Sequence, residues 1–132
     1  MKIAIAVSRF LLGLGFVVFG SNIVHPFLPQ PPMTGLPLQF MAVMGPTHWM
    51  TLIGVFQLVG GLLVLAGGTT PLGLALLAPV LVNILAFHAL LMGGEGIAPG
   101  AVFSVLELFL LWAYRSHFAP LFATDAKPEG GK

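Results

Sequence analysis

The chain consists of long apolar runs separated by short clusters of proline, glycine and polar residues. No Asp, Glu, Lys or Arg occurs from residue 10 to residue 94. A membrane-spanning helix needs only about 20 apolar residues, so this charge-free stretch can cross a bilayer several times. The helix-breaking clusters divide the apolar sequence into four predicted helical spans, at residues 3–24, 47–66, 72–92 and 99–117.

The connection over residues 25–46 differs from the spans because it is rich in proline. A lipid-exposed segment needs an internal partner for every backbone group, which proline prevents. We therefore predict an outer loop at 25–46 that contains one short interfacial helix, Leu38 to Met44. Residues 119–132 are predicted to form a flexible cytoplasmic tail, which leaves residues 1–118 as one all-α transmembrane four-helix bundle.

Composition excludes several classes of protein. The chain is 58% hydrophobic and 7% charged, whereas a soluble domain carries about 25% charged residues. A soluble globular domain and a disordered chain are therefore excluded, and a net charge of +1 excludes a nucleic-acid binder. The absence of cysteine excludes structural disulfides and Cys-ligated metals within this chain.

The basic residues predict the orientation of the chain in the membrane. Lys2 and Arg9 lie at the start of the first span, and Arg115, Lys127 and Lys132 lie at or beyond the end of the fourth, whereas the connections 25–46 and 93–98 hold no Lys or Arg. The positive-inside rule therefore predicts that both termini are cytoplasmic. No signal-peptide cleavage site follows the first apolar run, so we expect it to be retained as a span.

Two ionisable residues, Arg9 and Glu107, fall inside predicted spans. Arg9 lies about 10 Å along the helix from Lys2, and Glu107 lies about 12 Å before Arg115, so the two have similar depths. Because a buried charge is tolerated chiefly when it is paired, we predict a buried Arg9–Glu107 ion pair between the first and fourth spans. The alternative is that Arg9 reaches the headgroups and that Glu107 is protonated.

Four further polar residues are candidates for binding a quinone. The side chains of Asn83 and His88 could hydrogen-bond the headgroup between aromatic residues, with Gln57 and Asn22 as further members of a polar pocket. The alternative is that these residues hydrogen-bond between helices and only stabilise the bundle.

The histidines predicted toward the outer side, His25, His48 and His88, are weak candidates for metal ligands. A facing pair could bind haem, but no spacing places two of them opposite each other at one depth. With the nearby methionines they could hold a soft copper ion. We predict no metal site and disfavour haem.

No catalytic motif is present. The sequence contains no nucleotide-binding glycine loop, HExxH or GxSxG, and Glu107 is the only carboxylate in the interior of a span. The chain is therefore too poor in reactive groups to be an enzyme on its own, and we expect it to be a subunit of a larger assembly or a non-catalytic protein.

Three segments together resemble the DoxX family of small four-helix membrane proteins. They are the first-span pattern of Arg9, Gly13, Phe16 and Gly20, the stretch from Phe56 to Leu63, and the stretch from Ala78 to His88. The resemblance covers about 110 residues. It departs from the family at Gln57, where a carboxylate is common, and at Asn22, near which a basic residue often ends the helix.

The resemblance implies a multi-pass protein of the bacterial inner membrane. The family includes the membrane subunit of a thiosulfate:quinone oxidoreductase, membrane anchors and assembly factors. Two functions follow as expectations. The chain is a membrane subunit or anchor of a quinone-linked redox complex, or it is a non-catalytic scaffold that binds other membrane proteins. Both functions require the lipid bilayer and partner subunits, and neither excludes a homo-oligomer.

Overall fold

The computed structural model describes residues 1–130, which form six α-helices and no strand. The helices are α1 (Lys2–Val24), α2 (Gly35–Met44), α3 (Trp49–Leu65), α4 (Thr70–Ala86), α5 (Ala98–Ala113) and α6 (Arg115–Phe118). A π-helical turn, Phe87–Leu91, continues α4, and a 3₁₀ turn, Ala119–Phe122, continues α6. The all-α fold class predicted from the sequence is confirmed.

Two helices are long and apolar enough to cross a membrane by themselves. They are α1, with 23 residues, and α4 with its π-helical turn, with 22 residues. The second and fourth predicted spans are shorter than expected, because α3 has 17 residues and α5 has 16. Each reaches the required length only together with its neighbour, across bends of 87° (α2 and α3) and 78° (α5 and the segment 115–122). The chain is thus a membrane protein with two to four candidate spans.

The proline-rich connection contains the short helix that the sequence predicts, although α2 begins at Gly35 rather than at Leu38. Asn22 ties the start of this connection to α1, because its buried side-chain oxygen accepts hydrogen bonds from the backbone nitrogens of Phe27 (2.9 Å) and Leu28 (2.8 Å). At the far end, the ring of Phe40 in α2 lies 5.4 Å from that of Phe87. The connection therefore folds against the ends of α1 and α4.

The four longest helices contact one another in the cyclic order α1, α3, α4, α5 and back to α1. Their shared interior is mostly apolar, and its large buried hydrophobic side chains come from all four helices. These are Leu12, Phe16, Val64, Leu74, Leu77, Leu81 and Leu110.

Glycines make the contact between α1 and α3 unusually close. A Cβ added at Gly61 would lie 2.7 Å from the Gly13 carbonyl oxygen, and one at Gly20 would lie 2.8 Å from the Gly54 carbonyl oxygen. The two contacts are seven residues apart on both helices, so the helices run antiparallel with their backbones touching two turns apart. Small residues permit such an approach, which is how helices associate in a membrane.

The opposite side of α3 makes a similar contact with α4. A Cβ at Gly73 would lie 2.7 Å from the Gly60 carbonyl oxygen, and Leu77 fills the space beside Gly60. Because adjacent residues point about 100° apart around a helix, Gly60 faces α4 while Gly61 faces α1. This glycine pair lets α3 pack closely against both of its neighbours.

Aromatic side chains pack α5 against α1. The Phe103 ring occupies the space beside Gly15, where a Cβ would lie 2.5 Å from it. The same ring lies 5.4 Å from the ring of Phe16 and 5.8 Å from that of Phe19. This contact sets the register between the two helices.

The outer surface of the bundle is apolar over all four helices rather than in one patch. Val82 is 68% exposed, Leu108 66%, Leu62 51% and Phe10 57%. A soluble protein rarely exposes so large an apolar area, whereas lipid chains solvate it. The arrangement thus agrees with the membrane environment that the composition indicates.

The glycine contact between α1 and α3 predicts the effect of one added methyl group. Gly61→Ala should destabilise the protein by about 1–3 kcal/mol, because the Cβ would meet backbone atoms of Gly13 and Val17 that cannot move aside. Helix propensity alone predicts the opposite, a gain of up to about 1 kcal/mol. Thermal unfolding in detergent, followed by circular dichroism, measures the difference.

Gly68→Ala is the matched control, because nothing lies within 4 Å of a Cβ at that position. It should change stability by less than about 0.5 kcal/mol. A Gly61→Ala protein as stable as the wild type would contradict the close contact.

Candidate functional site

The end of α3 is where side chains from several parts of the chain converge. The last carbonyl groups of any α-helix lack partners within the helix, and in lipid each must find another donor. The Leu63 carbonyl accepts from the Thr69 hydroxyl (2.8 Å). The Thr70 hydroxyl lies 3.1 Å from the Val64 carbonyl oxygen and 2.7 Å from that of Gly67.

Arg9 of α1 completes this cap. Its Nε donates to the Val64 carbonyl (3.2 Å) and its Nη2 donates to the Leu65 carbonyl (3.1 Å). The positive guanidinium also lies at the negative end of the α3 dipole, a favourable position for a cation. At Gly67, φ is +88°, and an added Cβ would lie 2.9 Å from Nη2 of Arg9. Glycine is therefore favoured at this position both by the backbone conformation and by the space that the arginine occupies.

The predicted Arg9–Glu107 ion pair is not formed in the structure. Gly13, one turn after Arg9, contacts α3, whereas Gly15 contacts Phe103 of α5. Arg9 points about 120° away from Gly15 around the helix, and therefore toward α3. The two residues do lie at similar levels along the bundle, but they face different neighbours.

Glu107 itself is buried in the bundle. It is 3% exposed, and neither carboxyl oxygen has a hydrogen-bond partner among the described residues. Glu107 lies one turn after Phe103 on the same face of α5, and so points toward the side of α1 that carries Gly15.

The four predicted quinone residues do not share one pocket. Asn22 binds the backbone of the following loop, as described above, and Gln57 is 3% exposed and lies against Gly20 in the contact between α1 and α3. Asn22 therefore holds the start of the loop, and Gln57 packs within the contact between α1 and α3.

His88 has a local role at the end of α4. Its Nδ1 lies 2.9 Å from the Glu95 carbonyl oxygen, and the Gly94 nitrogen donates to the His88 carbonyl (2.8 Å). The ring therefore closes the turn that joins α4 to α5. Phe87, with its ring edge-on at 5.4 Å, is the aromatic neighbour of this ring.

Asn83 lies on the outer face of α4. It is exposed beside Val82, and the side-chain hydrogen bonds of residues 1–130 do not include its amide. It stands about 20 Å along the helix from Thr70 and about 12 Å before Leu91, which is far inside the apolar segment. An amide exposed to lipid at that depth lacks the partners it would have in water.

The backbone at Ala75 adds a second polar group to this face, because of Pro79. Ala75 and Pro79 precede Asn83 by two turns and one turn, and both are exposed. Proline has no N–H, so Pro79 leaves the Ala75 carbonyl without its usual α-helical donor. We call the surface formed by Ala75, Pro79, Val82 and Asn83 the outer α4 face.

The histidines do not form a metal centre in the described part of the chain. His25 and His48 are exposed, and no group of three His, Asp or Glu residues within residues 1–130 could hold a metal ion.

The chain was also compared with known proteins. No protein-family model, curated protein or solved structure matches it.

Double-mutant cycles distinguish the two candidate partners of Arg9. Arg9→Met should destabilise the protein by about 2 kcal/mol, because the Leu65 carbonyl loses its charged donor. Combined with Thr70→Val, which affects the same Val64 carbonyl, the effects should be non-additive by at least about 0.5 kcal/mol. Combined with Glu107→Gln, they should add, since the Glu107 oxygens have no partner to lose. Unfolding in detergent measures all three variants and both double mutants.

A coupling above about 1 kcal/mol between positions 9 and 107, or rescue by exchanging the two charges, would show that the ion pair forms after all.

Proposed function

We propose that this chain is a non-catalytic membrane anchor that binds another membrane protein through the outer α4 face. The observation that carries the proposal is the exposed Asn83 amide within an apolar helix. Polar groups inside a membrane usually face other protein or a water-filled cavity. On this surface neither is supplied by the chain itself, so a helix of a partner protein is the group that would satisfy it.

The shape of the outer α4 face suits a helical partner. Ala75 and Pro79 are small or lack a flexible side chain, which permits the close approach typical of membrane helix pairs. The amide of Asn83 offers both a donor and an acceptor, and the carbonyl of Ala75, a residue about two turns earlier, offers a second acceptor. A partner helix with Ser, Thr, Asn or Gln at matching positions fits this pattern.

The anchor would cross the membrane four times, with α2 and α6 lying at the two surfaces. Lys2 at the start of α1 and Arg115 just after the neighbouring helix α5 lie at comparable distances along the chain from the level at which Gly15 meets Phe103. They therefore mark the same end of the bundle, which the positive-inside rule assigns to the cytoplasm. The resemblance to the DoxX family supports the bacterial inner membrane as the location.

The same resemblance makes a redox complex the first class of partner to consider. The separation of Asn22, Gln57, Asn83 and His88 favours an anchor whose partner binds the quinone over a subunit that binds it alone. A scaffold or assembly factor remains the alternative, and the identity of the partner decides between the two.

Site-specific photo-crosslinking in native membranes tests the proposal. A photoreactive amino acid at Val82, on the outer α4 face, should crosslink a discrete protein partner, identified by mass spectrometry. The same amino acid at Leu108 is the matched control, since the exposed fractions are 68% and 66%. Adding Asn83→Leu should lower the yield at position 82 about threefold or more, because an interhelical hydrogen bond is lost.

A partner that carries a redox cofactor would support the redox-anchor function, and one without would support the assembly function. A crosslink to a second copy of the chain would assign the face to self-association and contradict the proposed partner. Labelling of lipid alone at both positions would contradict the anchor function.

A further inference from the structure

The structure has a groove at its basic end that the proposed function does not use. The segment 115–122 runs at 78° to α5, and the corner encloses a groove of about 800 Å³. Its walls are formed by α5 on one side and by the α6 and 3₁₀ residues on the other. The apolar lining residues are Leu111, Trp112, Phe118, Ala119, Leu121 and Phe122.

Among residues 1–130, Arg115 is the one charged residue that lines this groove. Its Nη1 donates to the Trp112 carbonyl (2.8 Å), and its guanidinium carbon lies 4.8 Å from the centre of the Trp112 ring. An arginine has five N–H donors, so most remain available while the group is held in position. A pre-positioned guanidinium is well suited to bind a phosphate group through two parallel hydrogen bonds.

The groove lies where a bilayer interface is expected. Trp112 ends the apolar part of α5, and tryptophan is enriched at the level of the headgroups. Leu121 and Phe122 are 75% and 82% exposed, which suits a short segment lying in the interface with apolar side chains directed into the acyl region. Lys2, at the start of α1, lies at the same end of the bundle and adds positive charge.

We propose that this groove binds one anionic phospholipid, with its phosphate on Arg115 and an acyl chain between Trp112 and the 3₁₀ turn. The combination of one fixed cation with continuous apolar walls selects this ligand. A soluble phosphate would gain nothing from the walls, and a zwitterionic lipid presents its own cation beside the phosphate. Asp125 and Glu129 follow in the tail, but neither lines the groove. This inference is independent of the proposed partner on α4.

Trp112 itself reports on the groove, because the chain contains only two tryptophans. In a Trp49→Phe protein, reconstituted in bilayers, brominated phosphatidylglycerol and brominated phosphatidylcholine are compared as quenchers of Trp112 fluorescence. Half-quenching should require about fivefold less of the anionic lipid, the effect expected of one basic residue at an anionic surface. A Trp112→Phe protein, which retains Trp49 at the opposite end, should show no such preference.

Substitutions distinguish lipid binding in the groove from a general attraction of anionic lipid to the basic end of the protein. Arg115→Gln should abolish the preference at Trp112, Arg115→Lys should retain part of it, and Lys127→Gln, outside the groove, should leave it unchanged. Unaltered quenching of Trp49 in an Arg115→Gln protein that retains Trp49 confirms that this variant is folded.

Three results would overturn the proposal. Equal quenching by both lipids would show that the groove does not select charge, and a preference that survives Arg115→Gln would place the selectivity elsewhere. Loss of the preference on adding excess inorganic phosphate would identify a soluble anion, rather than a lipid, as the ligand. Trp112 shielded from both lipids would show that protein covers the groove.

Discussion

The requirement that every backbone polar group find a partner inside the membrane governs this structure, and the end of α3 shows it most directly. The helix ends at Leu65, and the carbonyls of its last turn receive hydrogen bonds from Thr69, Thr70 and Arg9. Two of these donors follow along the chain, but the third comes from α1. The cap thereby also joins two helices, and it holds α1 where Gly13 and Gly20 touch the α3 backbone.

The same requirement applies to polar groups on the outer surface of the bundle. The glycine contacts bring α3 close to α1 and α4. Among the buried side-chain nitrogen and oxygen atoms of residues 1–130, only the two Glu107 carboxyl oxygens lack a hydrogen-bond partner. The outer α4 face differs, because Asn83 and the Ala75 carbonyl are presented where lipid offers no hydrogen bonds. This contrast between a helix end that the chain satisfies itself and a face that it leaves open is what supports the proposal of a protein partner at the outer α4 face.

Much of the fold could be predicted from the sequence, because glycine, proline and charge divide it clearly. All four long helices and the short α2 lie where the pattern predicts them. The break near Pro46 was predicted, because the short interfacial helix and the second span were expected on either side of it. The bend at Tyr114 was not predicted, since the fourth span was expected to continue to residue 117. Depth alone suggested Glu107 as the partner of Arg9, but depth says nothing about direction around a helix. The signal that could have corrected this was present, since Gly13 and Gly20 share a face with Arg9.

The exposure of Asn83 could not be predicted, because α4 is apolar all round and its periodicity does not distinguish inside from outside.

The partner of Arg9 in a bilayer tests the account most directly. Solid-state NMR can measure dipolar dephasing between the ¹⁵N-labelled guanidinium of Arg9, with Arg115 replaced by Lys, and selected ¹³C atoms. The account predicts clear dephasing at the backbone carbonyl carbons of Val64 and Leu65, whose oxygens lie 3.2 and 3.1 Å from the guanidinium nitrogens, and none at the Glu107 carboxyl carbon. Dephasing at the Glu107 carboxyl, with none at the two α3 carbonyls, would contradict it.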